Sequence, residues 1–338
     1  MYEKFFKDKT YIIAEIGGNF NNYNEAIKLI DLAKDCGVDA VKLQTYKANT
    51  IASKNAMFDM ENTGKVSQQE MFKKHEIDLD LHKKIYEYAN QNNLDFFSTP
   101  SHETDVDLLE KLNVSIHKIG SDDAVNLPFL KYVAKTNKII ILSTGMCNLE
   151  EIKESVEVIK SQGNNKIVLL HCVTSYPTYA EDVNLSALQT MIKTFPEIPI
   201  GYSDHTLDPI ASITSVSLGA RVVERHFTCD KNAEGPDHIL SSDPKEMKFI
   251  VDSIRTFEKL KGNGEKIPSK AEKINIINNR KSLILNKSLK KSSVLKKEDL
   301  SIKRPGSGIY PKYLEQVIGK KVKADLEYDH ILTWSDIE

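Results

Sequence analysis

Ile139-Ile140-Ile141-Leu142-Ser143-Thr144-Gly145-Met146 is a short run, apolar on both faces of an extended chain, that ends on two hydroxyls and a glycine. Such a run suits a strand of a parallel sheet covered by helices. Working outward, the same pattern recurs at Tyr11–Glu15, Ala40–Thr45, Phe96–Thr99, Ile116–Gly120, Ile167–Cys172, Ile198–Tyr202 and Val222–His226. An amphipathic helical stretch follows each run in turn. The first carries Ala26, Ile27, Leu29, Ile30 and Ala33 and stops at Gly37, a C-terminal cap signal. The last opens Asp243-Pro244-Lys245-Glu246, which combines an N-cap, a proline at N1 and a capping-box glutamate. Eight such βα units in about 250 residues predict an α/β fold, a closed (β/α)8 TIM barrel. A doubly wound open sheet is the competing fold, but no Gly-rich dinucleotide loop follows the first strand.

Residues 47–76 form a longer connection than a βα loop needs, and a barrel's βα loops build its active-site face. This insertion is therefore expected to be a rim or lid. Gly262-Asn263-Gly264-Glu265-Lys266-Ile267-Pro268 reads as a linker. The expected division is a barrel over 1–262, a linker over 263–275 and a small C-terminal domain of short strands and turns over 276–338. Thirteen Lys/Arg against eight Asp/Glu give that last part a net charge of +5, whereas the rest of the chain, with 33 against 40, is at −7. A basic module beside an acidic body suits contact with an anionic ligand.

The near-neutral total of −2 gives no global pull towards nucleic acid or an anionic membrane. No run of 18 apolar residues exists to span a bilayer, and charges occupy the N-terminus where a signal peptide needs an apolar stretch. Cys36, Cys147, Cys172 and Cys229 are scattered, without a C-x-x-C pair. Reduced thiols in a cytoplasmic protein are the expectation.

Barrel chemistry sits at the C-terminal ends of strands. Those ends are polar one after another: Glu15, Lys42 and Gln44, Ser98 and Thr99, Lys118 and Ser121, Ser143 and Thr144, His171, Ser203 and His205, Glu224 and His226. Any one hydroxyl can simply cap the next helix, and His171 reads as a satisfied core histidine. The set resists that reading, because Lys42 and Lys118 in apolar strands would be buried cations without a partner. Two lysines among hydroxyl donors make a site for a compact polyanion such as a phosphorylated carboxylic acid. His205 and His226 end the seventh and eighth strands, so their imidazoles can converge on one catalytic divalent metal, Mn²⁺ first, with Mg²⁺ or Co²⁺ possible. After the eighth strand, Asp237 and His238 can reach a polyhydroxyl substrate.

These stretches resemble the sialic acid synthase family, the enzymes that make N-acetylneuraminate, legionaminate or pseudaminate. The resemblance rests on Ile12-Ile13-Ala14-Glu15-Ile16-Gly17, Val41-Lys42-Leu43-Gln44-Thr45, Phe97-Ser98-Thr99-Pro100 and His117-Lys118-Ile119-Gly120-Ser121. It continues through Ser143-Thr144-Gly145-Met146, Leu170-His171-Cys172, Tyr176-Pro177, Gly201-Tyr202-Ser203-Asp204-His205-Thr206 and Glu224-Arg225-His226-Phe227-Thr228. Lys303-Arg304-Pro305-Gly306-Ser307-Gly308 is similar to the loop of the antifreeze-like (SAF) domain that ends these synthases. The resemblance implies condensation of phosphoenolpyruvate with an N-acylated amino sugar, giving a nonulosonic acid and phosphate. It assigns phosphoenolpyruvate to Lys42, Lys118, Thr99, Ser121, Ser143, Tyr176 and Ser203, and the metal to His205 and His226. Glu15, Gln44 and Asp237 fall on the sugar side, with Glu15 as the candidate for moving a proton. It also implies a domain-swapped homodimer in which Arg304 reaches the sugar.

Three departures from the family pattern flank the site. Asn19-Phe20-Asn21-Asn22 lacks the usual histidine and glycine, Gly120-Ser121-Asp122-Asp123 replaces Gly-Ser-Gly-Glu, and Thr174 stands in the substrate-binding set where asparagine is usual. Phe20 in place of an imidazole removes two hydrogen-bonding nitrogens, which predicts a shifted sugar acceptor. Two other functions compete: a 3-deoxy-octulosonate-8-phosphate or 3-deoxy-heptulosonate-7-phosphate type of synthase, and a non-catalytic carbohydrate-binding homologue. The first would require further basic residues for a second phosphate.

Overall fold

A computed structural model describes residues 1–60, 64–235 and 237–338 of the chain. It divides into two compact units, Met1–Gly262 and Asn263–Glu338.

In the first unit the strands are β1 (Tyr11–Glu15), β2 (Ala40–Thr45), β3 (Met57–Met60), β4 (Gly64–Ser67), β5 (Asp95–Pro100), β6 (Ile116–Ile119), β7 (Ile139–Ser143), β8 (Ile167–Cys172), β9 (Ile200–Asp204) and β10 (Val222–His226). All but β3 and β4 form a closed parallel barrel, ordered β1-β10-β9-β8-β7-β6-β5-β2, so neighbours in space are neighbours in sequence. The expected TIM barrel is the observed one. Its strands coincide with the expected runs to within one residue, except β9, which lies two residues further on.

Local sequence explains the helix ends. Tyr23–Cys36 is capped by the Asn22 side chain and ends at Gly37, whose φ of +87° is left-handed backbone that a side chain resists. Pro244–Lys261 carries the full capping box of Asp243 and Glu246. Gly201 has a different reason to be glycine: a Cβ there would lie 2.5 Å from the Val222 carbonyl oxygen and 2.7 Å from Leu170.

Strand alternation divides the barrel. Ile13, Ala40, Phe97, Ile116, Ile141, Val168, Leu170 and Val222 fill the interior with Phe5 and Tyr11. Ile12, Ala14, Val41 and Val223 face outward onto helices. The period of two then carries inward parity up each strand to Glu15, Lys42, Gln44, Thr99, Lys118, Ser143, Cys172, Ser203, Glu224 and His226. Interior apolar layers thus underlie a polar layer at the C-terminal ends of the strands.

The insertion after β2 folds as a short helix, Ala48–Ile51, the antiparallel β3–β4 pair and a helix, Gln68–His75. Lys47 and Glu76 pair at 3.6 Å where it leaves and rejoins the barrel.

The second unit begins with residues 263–269, continues through a helical turn and the helix Lys273–Asn279, and holds an antiparallel hairpin of β11 (Ser282–Leu285) and β12 (Leu300–Lys303). Leu283, Leu285, Leu295, Val317, Val322 and Leu332 form its own core. Arg304 is exposed just after β12. Among the described residues no helix is long and apolar enough to cross a membrane, and all four cysteines are free thiols.

Candidate active site

The C-terminal ends of the barrel strands enclose a cavity of about 280 Å³ in the first unit. Its floor is ionic. The Lys42 ammonium pairs with the Glu15 carboxylate, lies 3.7 Å from Glu224 Oε1 and donates to Thr99 Oγ1 at 3.1 Å. Lys118 Nζ is 3.9 Å from the same Glu224 oxygen and donates to the Ile119 carbonyl at 2.9 Å. Ser203 also donates to Glu224 Oε1, at 3.2 Å. The buried Ser143 hydroxyl has no hydrogen-bond partner among the described residues.

Burial disfavours charge on every member of this group, and the ion pairs decide how each responds. Burial raises the Glu15 carboxyl to about 7 even against the pull of Lys42. For Lys42 burial works downward, but Glu15 and Glu224 outweigh it and its pKa ends above the ordinary lysine value. Lys118 is lowered, because burial there prevails over Glu224. Burial opposes ionisation of Glu224 too, yet Lys118 and Lys42 hold it below the usual carboxylate range.

Two imidazoles form one wall. His205 Nδ1 meets the Val173 carbonyl at 2.9 Å, which directs its Nε2 elsewhere. The Tyr176 ring packs on His205 at 4.2 Å, and the His205 and His226 rings are 5.5 Å apart. His226 Nδ1 is buried without a hydrogen-bond partner among the described residues, and an Asp237 carboxylate oxygen stands 3.6 Å from it. Burial, then His205, push His226 well below the ordinary histidine value, so it is neutral and has a lone pair to give.

Among the described residues no group of three or more His, Cys, Asp or Glu side chains is arranged to hold a metal. Two neighbouring imidazoles, one with an orphaned buried nitrogen, still fit an open divalent site whose other positions fall to water and substrate.

The cavity brings together Lys42, Gln44, Thr99, Lys118, Ser121, Ser143, Thr174, Tyr176, Ser203, His205, His226 and Asp237. Ser121 Oγ accepts from the Gly145 amide at 2.9 Å. Arg304 belongs to the second unit. His171 is satisfied in the core, its Nε2 on the Val183 carbonyl at 2.8 Å, as expected.

Four expectations need correction. The buried lysines do have partners, the inward carboxylates Glu15 and Glu224. Glu15 is fully buried and does not line the cavity; it pairs with Lys42, which does, and accepts from the Gly17 amide. His238 is held away by Thr228 Oγ1 at 2.7 Å and does not line the cavity. Phe20 is buried in the apolar layer between barrel and helices, not in the pocket, so its side chain cannot choose a substituent. Beside it, Asn19 Nδ2 bonds the Phe227 carbonyl at 2.9 Å.

Sequence reasoning did not single out Cys172, whose thiol lies 3.9 Å from His205 Nδ1 and which lines the cavity with Glu224 and Asp122. Inward parity would have found Cys172, as it found Glu224. The same rule places His171 and Arg225 outside.

Residues 29–266 match the NeuB family, and residues 280–338 match the SAF domain. The N,N'-diacetyllegionaminic acid synthase of Campylobacter jejuni is 43% identical, over 96% of this chain and 99% of that protein. The enzyme of the same name from Legionella pneumophila is 40% identical, over 97% and 94%. The crystal structure of the N-acetylneuraminic acid synthetase of Leptospira borgpetersenii, in complex with citrate, superposes with a TM-score of 0.72 at 32% identity, covering 79% of this chain and 90% of that one.

Proposed function

The chain belongs to the NeuB family of sialic acid synthases, and we propose that it joins phosphoenolpyruvate to the open-chain aldehyde of a non-phosphorylated, N-acylated amino hexose. The product is a nine-carbon nonulosonic acid, with inorganic phosphate released.

The observation that carries this reading is the ionic floor, with two buried ammonium groups converging on a cavity beside an unpaired hydroxyl. Phosphoenolpyruvate is a compact trianion that needs such a lining. Lys42 and Lys118 neutralise its phosphate and carboxylate. Ser143 has a free hydroxyl, and Thr99, which accepts from Lys42, has its own hydrogen to give. Glu15 acts through Lys42 as a positioning residue, fixing that ammonium from below.

A divalent ion held by His205 and His226 would supply Lewis-acid polarisation of the aldehyde oxygen. The chain's own residues do the rest. Tyr176, stacked on His205, and Gln44 orient the sugar over the floor. C3 of phosphoenolpyruvate forms the new bond to the aldehyde carbon, leaving an oxyanion on the sugar and positive charge at C2. Glu224, below its ordinary pKa, faces that cation as a carboxylate. Water adds at C2, and the proton it sheds balances the sugar oxyanion. Asp237, a lining carboxylate beside His226 and 17% exposed where Glu224 is locked by lysines, carries it. The C2 hydroxyl then loses its proton as the C2–O bond to phosphate breaks, leaving the keto acid.

The names of the two bacterial relatives support a diacetamido acceptor. The domain-swapped homodimer, with Arg304 supplied to the sugar, rests on the family resemblance and the +5 charge of residues 276–338.

The test is phosphate release from phosphoenolpyruvate and Mn²⁺ with N-acyl amino hexoses beside phosphorylated aldoses. Release with the former alone is expected. Release only with phosphorylated sugars would assign the protein to the octulosonate-type reaction, and release with none would leave a binding protein.

A further inference from the structure

Each of the two candidate metal ligands is preceded in the chain by a residue that strand parity sends out of the barrel. Outward positions such as Ile12, Ala14, Val41 and Val223 carry apolar side chains onto the helices. Asp204 and Arg225, register partners on β9 and β10, place an ion pair there instead. Arg225 Nη1 lies 2.7 Å from Asp204 Oδ2, and the two side chains are 1% and 0% exposed. Neither has a use in the condensation.

The further contacts of this pair close around the histidines. Asp204 Oδ1 accepts from the Thr206 amide at 2.9 Å, which ties together the residues on either side of His205. Arg225 Nη1 donates to the Thr206 hydroxyl at 3.3 Å, and that hydroxyl donates onward to the Asp208 carbonyl. Arg225 Nε donates to Ser242 Oγ at 2.7 Å, while the Ser242 amide donates to the His226 carbonyl at 2.8 Å. From behind, the hydroxyls of Ser212 and Tyr202 donate to Asp204. Among the described residues only Arg225 Nη2 in this group lacks a hydrogen-bond partner. One network thus links the turn that carries His205 to the backbone of His226, across the seam between β9 and β10.

A buried ion pair is a poor source of stability, because desolvating both charges offsets their attraction and apolar residues of similar volume do as well. What the pair adds is direction: a guanidinium fork fixes the groups around it in one plane. Two imidazoles sharing an ion need that fixity, since among the described residues no third side chain completes the set. Resting on the two-histidine metal reading above, we propose that Asp204 and Arg225 are positioning residues for the metal ligands. Their ion pair holds the His205 and His226 rings at the 5.5 Å spacing observed. Both act through Thr206 and Ser242 and touch neither ion nor substrate.

Mn²⁺ binding to the full-length protein tests this without turnover, by the electron paramagnetic resonance signal of free Mn²⁺ that disappears on binding. Asp204→Leu with Arg225→Met removes both charges together and should leave the melting temperature near that of wild type. It should nevertheless bind Mn²⁺ about 10–100-fold more weakly, the usual effect of removing the support behind a metal ligand. Its kcat at a fixed, limiting Mn²⁺ concentration should fall, with little change in KM for phosphoenolpyruvate. Arg225→Lys keeps the charge but loses the fork; it should lose part of the affinity, and it decides the question if the double variant does not fold. Wild-type Mn²⁺ affinity in either folded variant would overturn the positioning role and leave the metal reading intact. A loss that follows a lowered melting temperature and raises KM for phosphoenolpyruvate equally would assign the pair to the fold alone. Wild type that binds no Mn²⁺ and still releases phosphate in chelator would overturn the metal reading, and this role with it.

Discussion

Lys42 and Glu15 are among the most confined charges in the barrel, 5% and 0% exposed respectively. Removing one partner of a buried pair leaves the other uncompensated, at a cost of about 3–5 kcal/mol. Lys42→Met should therefore destabilise the protein by about that much in urea unfolding, and turnover should be lost. Adding Glu15→Gln removes the stranded charge, so the double variant should regain most of the stability and none of the activity. A double variant no more stable than the single one would mean that the pair is not what holds the floor together. Residue identity was legible to the extent that parity governs it. Lysines, hydroxyls and histidines at inward positions all reached the cavity. Partnership across the barrel was not legible, because Glu15, Lys42 and Glu224 meet only once the sheet closes and brings β10 beside β1. Phe20 shows the converse: a departure next to site residues in sequence can point into the core.

The connection after β6 compresses two acidic residues into one turn, Ser121–Asp123, with opposite fates. Asp122 lines the cavity, whereas Asp123 is turned under and accepts from Asn126 Nδ2 at 2.9 Å. Burial raises Asp123 from 3.8 to about 6. The folded state then binds this proton more tightly than the unfolded state, so stability falls as pH rises from about 4 to about 6 and the penalty persists above. Asp123→Asn should stabilise the protein at pH 8 by up to roughly 2–3 kcal/mol and leave it unchanged at pH 4. Equal effects at both pH values would contradict the burial argument. The insertion was legible as a rim from its length alone, since a βα loop of that size needs a purpose. The packing of Tyr46, Phe58 and Phe72 was not, because three rings separated by 12 and 14 positions carry no periodicity that marks them as neighbours.

Across the whole molecule, the barrel was legible because eight apolar runs alternate with amphipathic stretches and leave few topologies open. The second unit was readable as a separate module from its charge and its Gly- and Pro-bearing loop, but its hairpin register came only with the structure. An ionic floor and a two-histidine wall meet in one cavity, and the condensation proposed for it makes one claim above all, the fate of the phosphoenolpyruvate oxygen. Phosphoenolpyruvate labelled with ¹⁸O in its C–O–P bridge, incubated with Mn²⁺ and an N-acylated amino hexose, tests that claim by mass spectrometry of both products. Condensation with C–O cleavage predicts a nine-carbon keto acid free of the bridge label and phosphate that carries it. Label retained in the sugar acid, or no nine-carbon product from any unphosphorylated acceptor, would contradict it.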